Sequence, residues 1–333
     1  MSNPLRHAAA GRNGGFTLVE LMVSMLLGLI IIGGATAVII ANRQSYRTNE
    51  GLSQLQESAR SAFELMARDI RQAGVTGCDS NGRVANVVRT DPPAWWQEWV
   101  GMRGFDGDED DGAVEFGTDP RTRVEGTHSL LVQGLDGNAI AVQTHTTGSG
   151  LFRLNAAATN IAAGDIVMVC DFNHAVIFMA SGYNAANREV SYVASDTGSP
   201  RNCSPGLGFP TNCATPGNAY AYSPNAQLAR LMAVNWFVGN NGRDGGRSLF
   251  RQRIGMDDPE EIVVGVSGMT LRYLVEGGSA FVDPPVNWAA VSAIQVILTL
   301  ESADQRVSSD PGENQGRLQR EFTNVITLRN RVL

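Results

Sequence analysis

The sequence predicts an α+β protein: one long N-terminal helix, then a β-rich, mainly antiparallel head. Three observations carry this. Phe16–Ala41 is a nearly unbroken apolar run whose one ionisable side chain is Glu20. From Leu52 to Ala73, apolar residues recur at steps of three and four, which is one face of a helix. From Cys78 onward the apolar runs are short or alternating and are separated by Gly, Asn and Asp, the pattern of strands and turns.

As a helix, Phe16–Ala41 would reach about 39 Å, enough to cross a bilayer with some tilt. Ahead of it, residues 1–15 hold Arg6 and Arg12 and no acid. Positive residues before a first apolar segment keep that end in the cytoplasm, so the bulk of the chain is expected beyond the membrane. No proline occurs between Phe16 and Ala73, so a single helix of about 87 Å can run through without a sharp kink, and Gly33-Gly34 is its one obvious weak point. Leu52, Leu55, Ala59, Ala62, Phe63, Met66, Ile70 and Ala73 form the apolar stripe, with Glu64 and Arg68 as an i,i+4 pair on the opposite face. Gly74 and Gly77 are expected to stop the helix.

Strands are expected at Ser129–Gln133, Asp165–Val169, Ala175–Ala180 and Glu189–Ala194. Ala233–Val238 and Ser248–Ile254 flank the Gly- and Asn-rich stretch 239–246 and read as a hairpin. Ile262–Val275 (broken at Gly265 and Gly268), Ala290–Leu300 and Phe322–Leu328 complete the set. Short connections favour antiparallel pairing. Ser195–Gln227 shows no period and reads as a long loop.

The 333 residues allow one large domain or two ordinary ones, and 43% apolar content suits a globular core. A net charge of −7 argues against a general nucleic-acid surface. Four cysteines in an exported domain point to disulfides. Cys203 and Cys213 share one loop and are the expected local pair, which leaves Cys78 to Cys170. With no C-x-x-C, and His174 the one histidine close to a cysteine, no zinc site is expected, nor any other metal or cofactor.

Several head segments invite a second reading. Residues 106–112, Asp-Gly-Asp-Glu-Asp-Asp-Gly, are dense in carboxylates, yet Asp111 stands where the EF-hand needs glycine and Gly117 where it needs glutamate. A solvated acidic turn is the expectation. Trp95, Trp96 and Trp99 fit either a docking surface or a loop anchored on the head. Arg243, Arg247, Arg251 and Arg253 read as a solvated strand edge rather than a nucleic-acid patch. Gly265-Val266-Ser267-Gly268 falls short of a nucleophile elbow, no P-loop or dinucleotide fingerprint occurs, and no enzymatic activity is expected.

Gly15-Phe16-Thr17-Leu18-Val19-Glu20-Leu21-Met22-Val23 resembles the class III signal of type IV pilins and pseudopilins. The resemblance implies cleavage by prepilin peptidase between Gly15 and Phe16, then N-methylation of Phe16. It makes residues 1–15 a leader, 16–41 a transmembrane and pilus-core helix, 42–76 its amphipathic extension and 77–333 a periplasmic head. Loss of the two leader arginines would take the formal charge from −7 to −9. Glu20 becomes the fifth mature residue. A carboxylate inside a membrane is costly and functional by default, and the family supplies its partner, the Phe16 amine of this subunit or a neighbour.

Gln72–Cys78, Gly164–Asp171, the hairpin over 235–251 and Thr327–Arg331 resemble the PilW family of minor pilins. That implies a low-copy subunit of the inner membrane and then the pilus. Its implied partners are other minor pilins, the major pilin and a tip adhesin, and its implied roles are assembly priming, twitching motility and attachment. The rivals are a J-like minor pseudopilin of type II secretion and a tip-borne adhesin or DNA receptor.

Overall fold

The computed structural model describes residues 15, 17–78, 83–158, 160–243, 245–302, 305 and 316–328. Arg6, Arg12, Phe16, Asp244 and the terminal Arg329-Asn330-Arg331 lie outside the described residues.

One helix, α1 (Leu18–Ile70), runs for 53 residues, about 80 Å. It passes through Gly33-Gly34 as helix and ends three residues short of the expected Ala73. Its exit tightens: the Gln72 and Ala73 N–H groups bond the Asp69 and Ile70 carbonyls three residues back, and Gly74, at φ 73°, donates its N–H to the Gln133 carbonyl at 2.8 Å. That bond joins the helix exit directly to the sheet. The backbones meet so closely here that a Cβ on Gly134 would collide with the Gln72 carbonyl oxygen.

The head holds seventeen strands among the described residues. They are β1 (Val84–Asn86), β2 (Val88–Arg89), β3 (Met102–Phe105), β4 (Ser129–Thr146), β5 (Leu151–Leu154), β6 (Ile166–Cys170), β7 (Ala175–Met179), β8 (Gly182–Asn184) and β9 (Glu189–Ser191). Then come β10 (Arg201–Asn202), β11 (Gln227–Asn240), β12 (Arg247–Arg253), β13 (Glu260–Val264), β14 (Val266–Val275), β15 (Phe281–Val282), β16 (Val291–Glu301) and β17 (Gln319–Thr327). An 11-stranded sheet runs β1-β7-β6-β11-β4-β5-β9-β8, with β12 and β13 continuing from β11 and β3 lying beside β4. A four-stranded sheet runs β15-β14-β16-β17, and β2 pairs with β10. Pairing is antiparallel except between β1 and β7. The fold is the α+β arrangement of one apolar helix and a mostly antiparallel head.

Three expectations need correcting. The strand expected to stop at Gln133 continues as β4 to Thr146, because the turn-like Asp136-Gly137-Asn138 is absorbed as a register shift opposite Leu228 and Arg230 of β11. The break in 262–275 falls at Gly265 alone, where φ is 85° and a Cβ would come 2.6 Å from the Glu301 carbonyl oxygen. Gly268 stays within β14 at a register shift. And β12 is no edge: it lies between β11 and β13, which pairs with Ser248–Arg251, so Arg251 is half-buried while Arg247 stays exposed.

Two core regions hold the helix and its exit in place. The lower half of α1 buries Leu55, Ala59, Ala62, Phe63, Met66 and Ile70 against Trp236, Met269, Val296 and Leu298 between the sheets. A second core holds Trp96, Leu135, Met168 and Leu231, with Cys78, Trp95 and Trp99 packed against it.

Candidate functional site

The exposed stretch of α1 is built from the N-terminus inward. Thr17 caps the helix in extended conformation, its hydroxyl accepting from the Glu20 N–H at 3.3 Å. Glu20 therefore stands at the third helical position of a Thr-x-x-Glu capping-box spacing, in the first turn, where the helix dipole favours a negative charge. The spacing was legible in the sequence, and it adds a second physical reason for an acid at this position. Glu20 is exposed, and its carboxylate has no partner among the described residues. Gly15 is exposed two residues ahead of Thr17, and nothing lies within 4 Å of where its Cβ would stand.

From Leu18 to Ile40 the helix shows apolar residues on every side of it. Leu18, Met22, Leu26, Ile30 and Ile39 are all more than half exposed, at 74%, 63%, 60%, 64% and 53%. This stretch is long and apolar enough to cross a membrane, and none of it is buried by the rest of the chain. A helix apolar all round is stable only inside a bilayer or among other helices. The described residues offer no cover for it.

At the other end, the helix is joined to the head by a polar contact as well as by packing. Asp69 sits on the apolar stripe and is 7% exposed. Its Oδ2 accepts from the Trp236 indole N–H at 3.1 Å and lies 3.6 Å from the Arg251 guanidinium. Arg251 also pairs with Glu260 at 2.8 Å and stacks over the Trp236 ring. Burial pushes the Asp69 carboxyl above its ordinary range, against the pull of Arg251 and Trp236. An acid on an apolar stripe was the available signal, since such a charge needs a buried partner.

Just past the helix exit, Cys78 is joined to Cys170 at the end of β6, and Cys203 to Cys213 within the long loop. These are the two pairs expected from the sequence.

The remaining candidates resolve as structure. Trp96 is buried, and Trp95 and Trp99 pack beside it, so the tryptophans anchor a loop. Arg243 forms a two-pronged pair with Glu261, and Arg251 belongs to the helix contact. The acidic segment departs from a solvated turn at Asp111. That carboxylate is 6% exposed and accepts from Arg123, Ser129 and Asn235 at 3.2, 2.6 and 2.8 Å. Ser267 is buried and donates to the Thr299 carbonyl. His145 bonds Tyr192 and accepts from the Tyr222 N–H, and burial lowers it to about 4. His174 bonds the Leu207 carbonyl. Among the described residues, neither Ser267 nor either of these histidines takes part in a nucleophile–base pair.

A family model, described as a prokaryotic N-terminal methylation motif, matches residues 11–36. No curated protein and no solved structure matches the chain. The motif marks a type IV pilin-like or pseudopilin-like protein. It implies processing by prepilin peptidase and, with the apolar helix behind it, anchoring in a membrane.

Proposed function

We propose that this chain is a minor pilin of the PilW type. It is inserted in the inner membrane by α1 with the head in the periplasm, and it joins other minor pilins to prime assembly of a type IV pilus and to sit in its tip complex. The observation that carries this reading is the contrast within one helix. A segment bearing the methylation motif leaves its apolar surface fully open, while the rest of the helix is packed on a large head. In this reading residues 1–15 are the leader, Gly15 and Phe16 flank the cut, Phe16 is the methylated N-terminus, and 77–333 form the head. Its role is structural rather than catalytic, and twitching and attachment follow from the pilus it starts. The acidic balance of the chain speaks against nucleic acid as a partner.

Glu20 is the residue on which the proposal turns. The helix inserts well without it, and removing its charge eases insertion. Its carboxylate attracts the Phe16 amine of a neighbouring subunit, and in an apolar interior that attraction sets the axial register of two helices. In a strain with retraction disabled, Glu20→Ala as the sole copy should give a processed, membrane-embedded protein and few or no surface pili, with Glu20→Asp intermediate. Normal pilus numbers with Glu20→Ala would show that the charge is dispensable here. The motif is shared with type II secretion pseudopilins. A deletion strain that keeps its pili but loses secretion would assign the chain to that system instead.

A further inference from the structure

Three potential metal ligands meet where the two sheets of the head touch. Asp106 follows β3 and His128 precedes β4, both in the large sheet; Asp283 follows β15 in the small one. One donor atom from each lies within 4.8 Å of the other two. Around an ion held at about 2 Å, neighbouring ligand atoms stand about 3–4 Å apart, so closure needs only small side-chain rotations.

Charge placement points the same way. His128 Nδ1 accepts a long bond from the Leu271 N–H at 3.4 Å, and its one ring-plane lone pair must leave that N–H to hold an ion through this atom. It also lies 3.9 Å from Asp106 Oδ1, beyond hydrogen-bond distance. Other acids nearby have arginine partners: Glu109 pairs with Arg103 at 2.7 Å and Asp111 with Arg123 at 3.2 Å. Among the described residues, Asp106 and Asp283 have none.

We propose that Asp106, His128 and Asp283 bind one divalent transition metal, of which Zn²⁺ is the probe, and that the ion links the large sheet to the small one. One imidazole with two carboxylates favours zinc over calcium or magnesium, which take oxygen donors. The exposed side of Asp283 leaves room for water to complete the coordination. The three residues are far apart in the sequence, so no motif spacing announces the site.

The test uses the full-length protein in detergent, stripped with a chelator, dialysed and titrated with ZnCl₂ by calorimetry. One ion per chain is expected, with a melting temperature raised by about 3 °C or more at saturation and calcium at least tenfold weaker. Asp283→Asn and His128→Gln should each weaken zinc binding at least tenfold. Asp108→Asn, in the same acidic segment but outside the cluster, should change nothing. Asp283 is on the surface, so its variant should fold and its result stands whatever His128→Gln does. No zinc uptake, uptake unchanged in Asp283→Asn, or calcium held as tightly would each overturn the assignment.

Discussion

The two halves of α1 are the same helix in two different solvents. From Leu18 to Ile40 the side chains are apolar on every side and open. From Gly51 to Ile70 they are apolar on one side, and that side is buried on the head. The upper half has no periodic stripe because a bilayer, or a bundle of like helices, surrounds it evenly. The lower half has one because a sheet covers it from a single direction. What the comparison teaches is where each kind of substitution will be felt. Changes in the lower half should show in the stability of the single chain, and changes in the upper half only in what that chain joins.

The largest expected effect is at the junction of the two regions. The Cys78–Cys170 bridge closes a loop with a sequence separation of 92 and holds the helix exit to β6. Replacing both cysteines with serine should cost on the order of 4 kcal/mol by chain entropy, read as a lower denaturant midpoint in detergent. Serine at Cys203 and Cys213 should cost about 3 kcal/mol or less, because that separation is only 10. Equal losses from the two would show that the first bridge does not brace the helix.

Next comes packing. Met66 is fully buried between helix and sheets, so Met66→Ala should cost about 2–5 kcal/mol. Leu26→Ala, well up the same helix and 60% exposed, should leave that stability within about 0.5 kcal/mol. Similar losses at both positions would break the comparison.

The smallest effect sharpens it further, through pH. Asp69 has a folded-state pKa above its unfolded value, so between the two values the folded chain holds the extra proton. Stability should therefore fall as pH rises from about the ordinary carboxylate value of 3.8 through the higher folded value, and stay reduced above it. Asp69→Asn keeps an acceptor for the Trp236 indole and leaves Arg251 its Glu260 partner, and should flatten that slope. An unchanged slope would place the titration elsewhere.

Much of this molecule is legible in the sequence because its signals are local. The apolar run, the stripe to Ile70 and the hairpin of β11 and β12 each rest on residues close in sequence. The short strands β1, β2, β3, β8, β10 and β15 escape such a reading, since two to four residues carry no period. The arginines of β12 look like an edge from sequence alone. Their row is the same whether or not β13 lies beyond it, and only the pairing of Ser248–Arg251 with Glu260–Val264 decides. Asp111 misleads for a related reason. Composition makes 106–112 a water-facing turn, but Arg123, Ser129 and Asn235 converge on that one carboxylate from other parts of the chain.

The sequence by itself determined the helix, its orientation signal, the acid at position 20 and the β character of the head. Hydrophobic periodicity, charge flanks and capping spacing act over one to a few turns of chain. Only the tertiary structure decided which strands became neighbours, which charges were enclosed and which residues met across the sheets. Asp69 finds Trp236 and Arg251, and Asp106 and His128 find Asp283, each across a long stretch of intervening chain. Such contacts form when the two sheets and the helix bury a common core, and burial is a property of the assembled layers, not of any segment read alone.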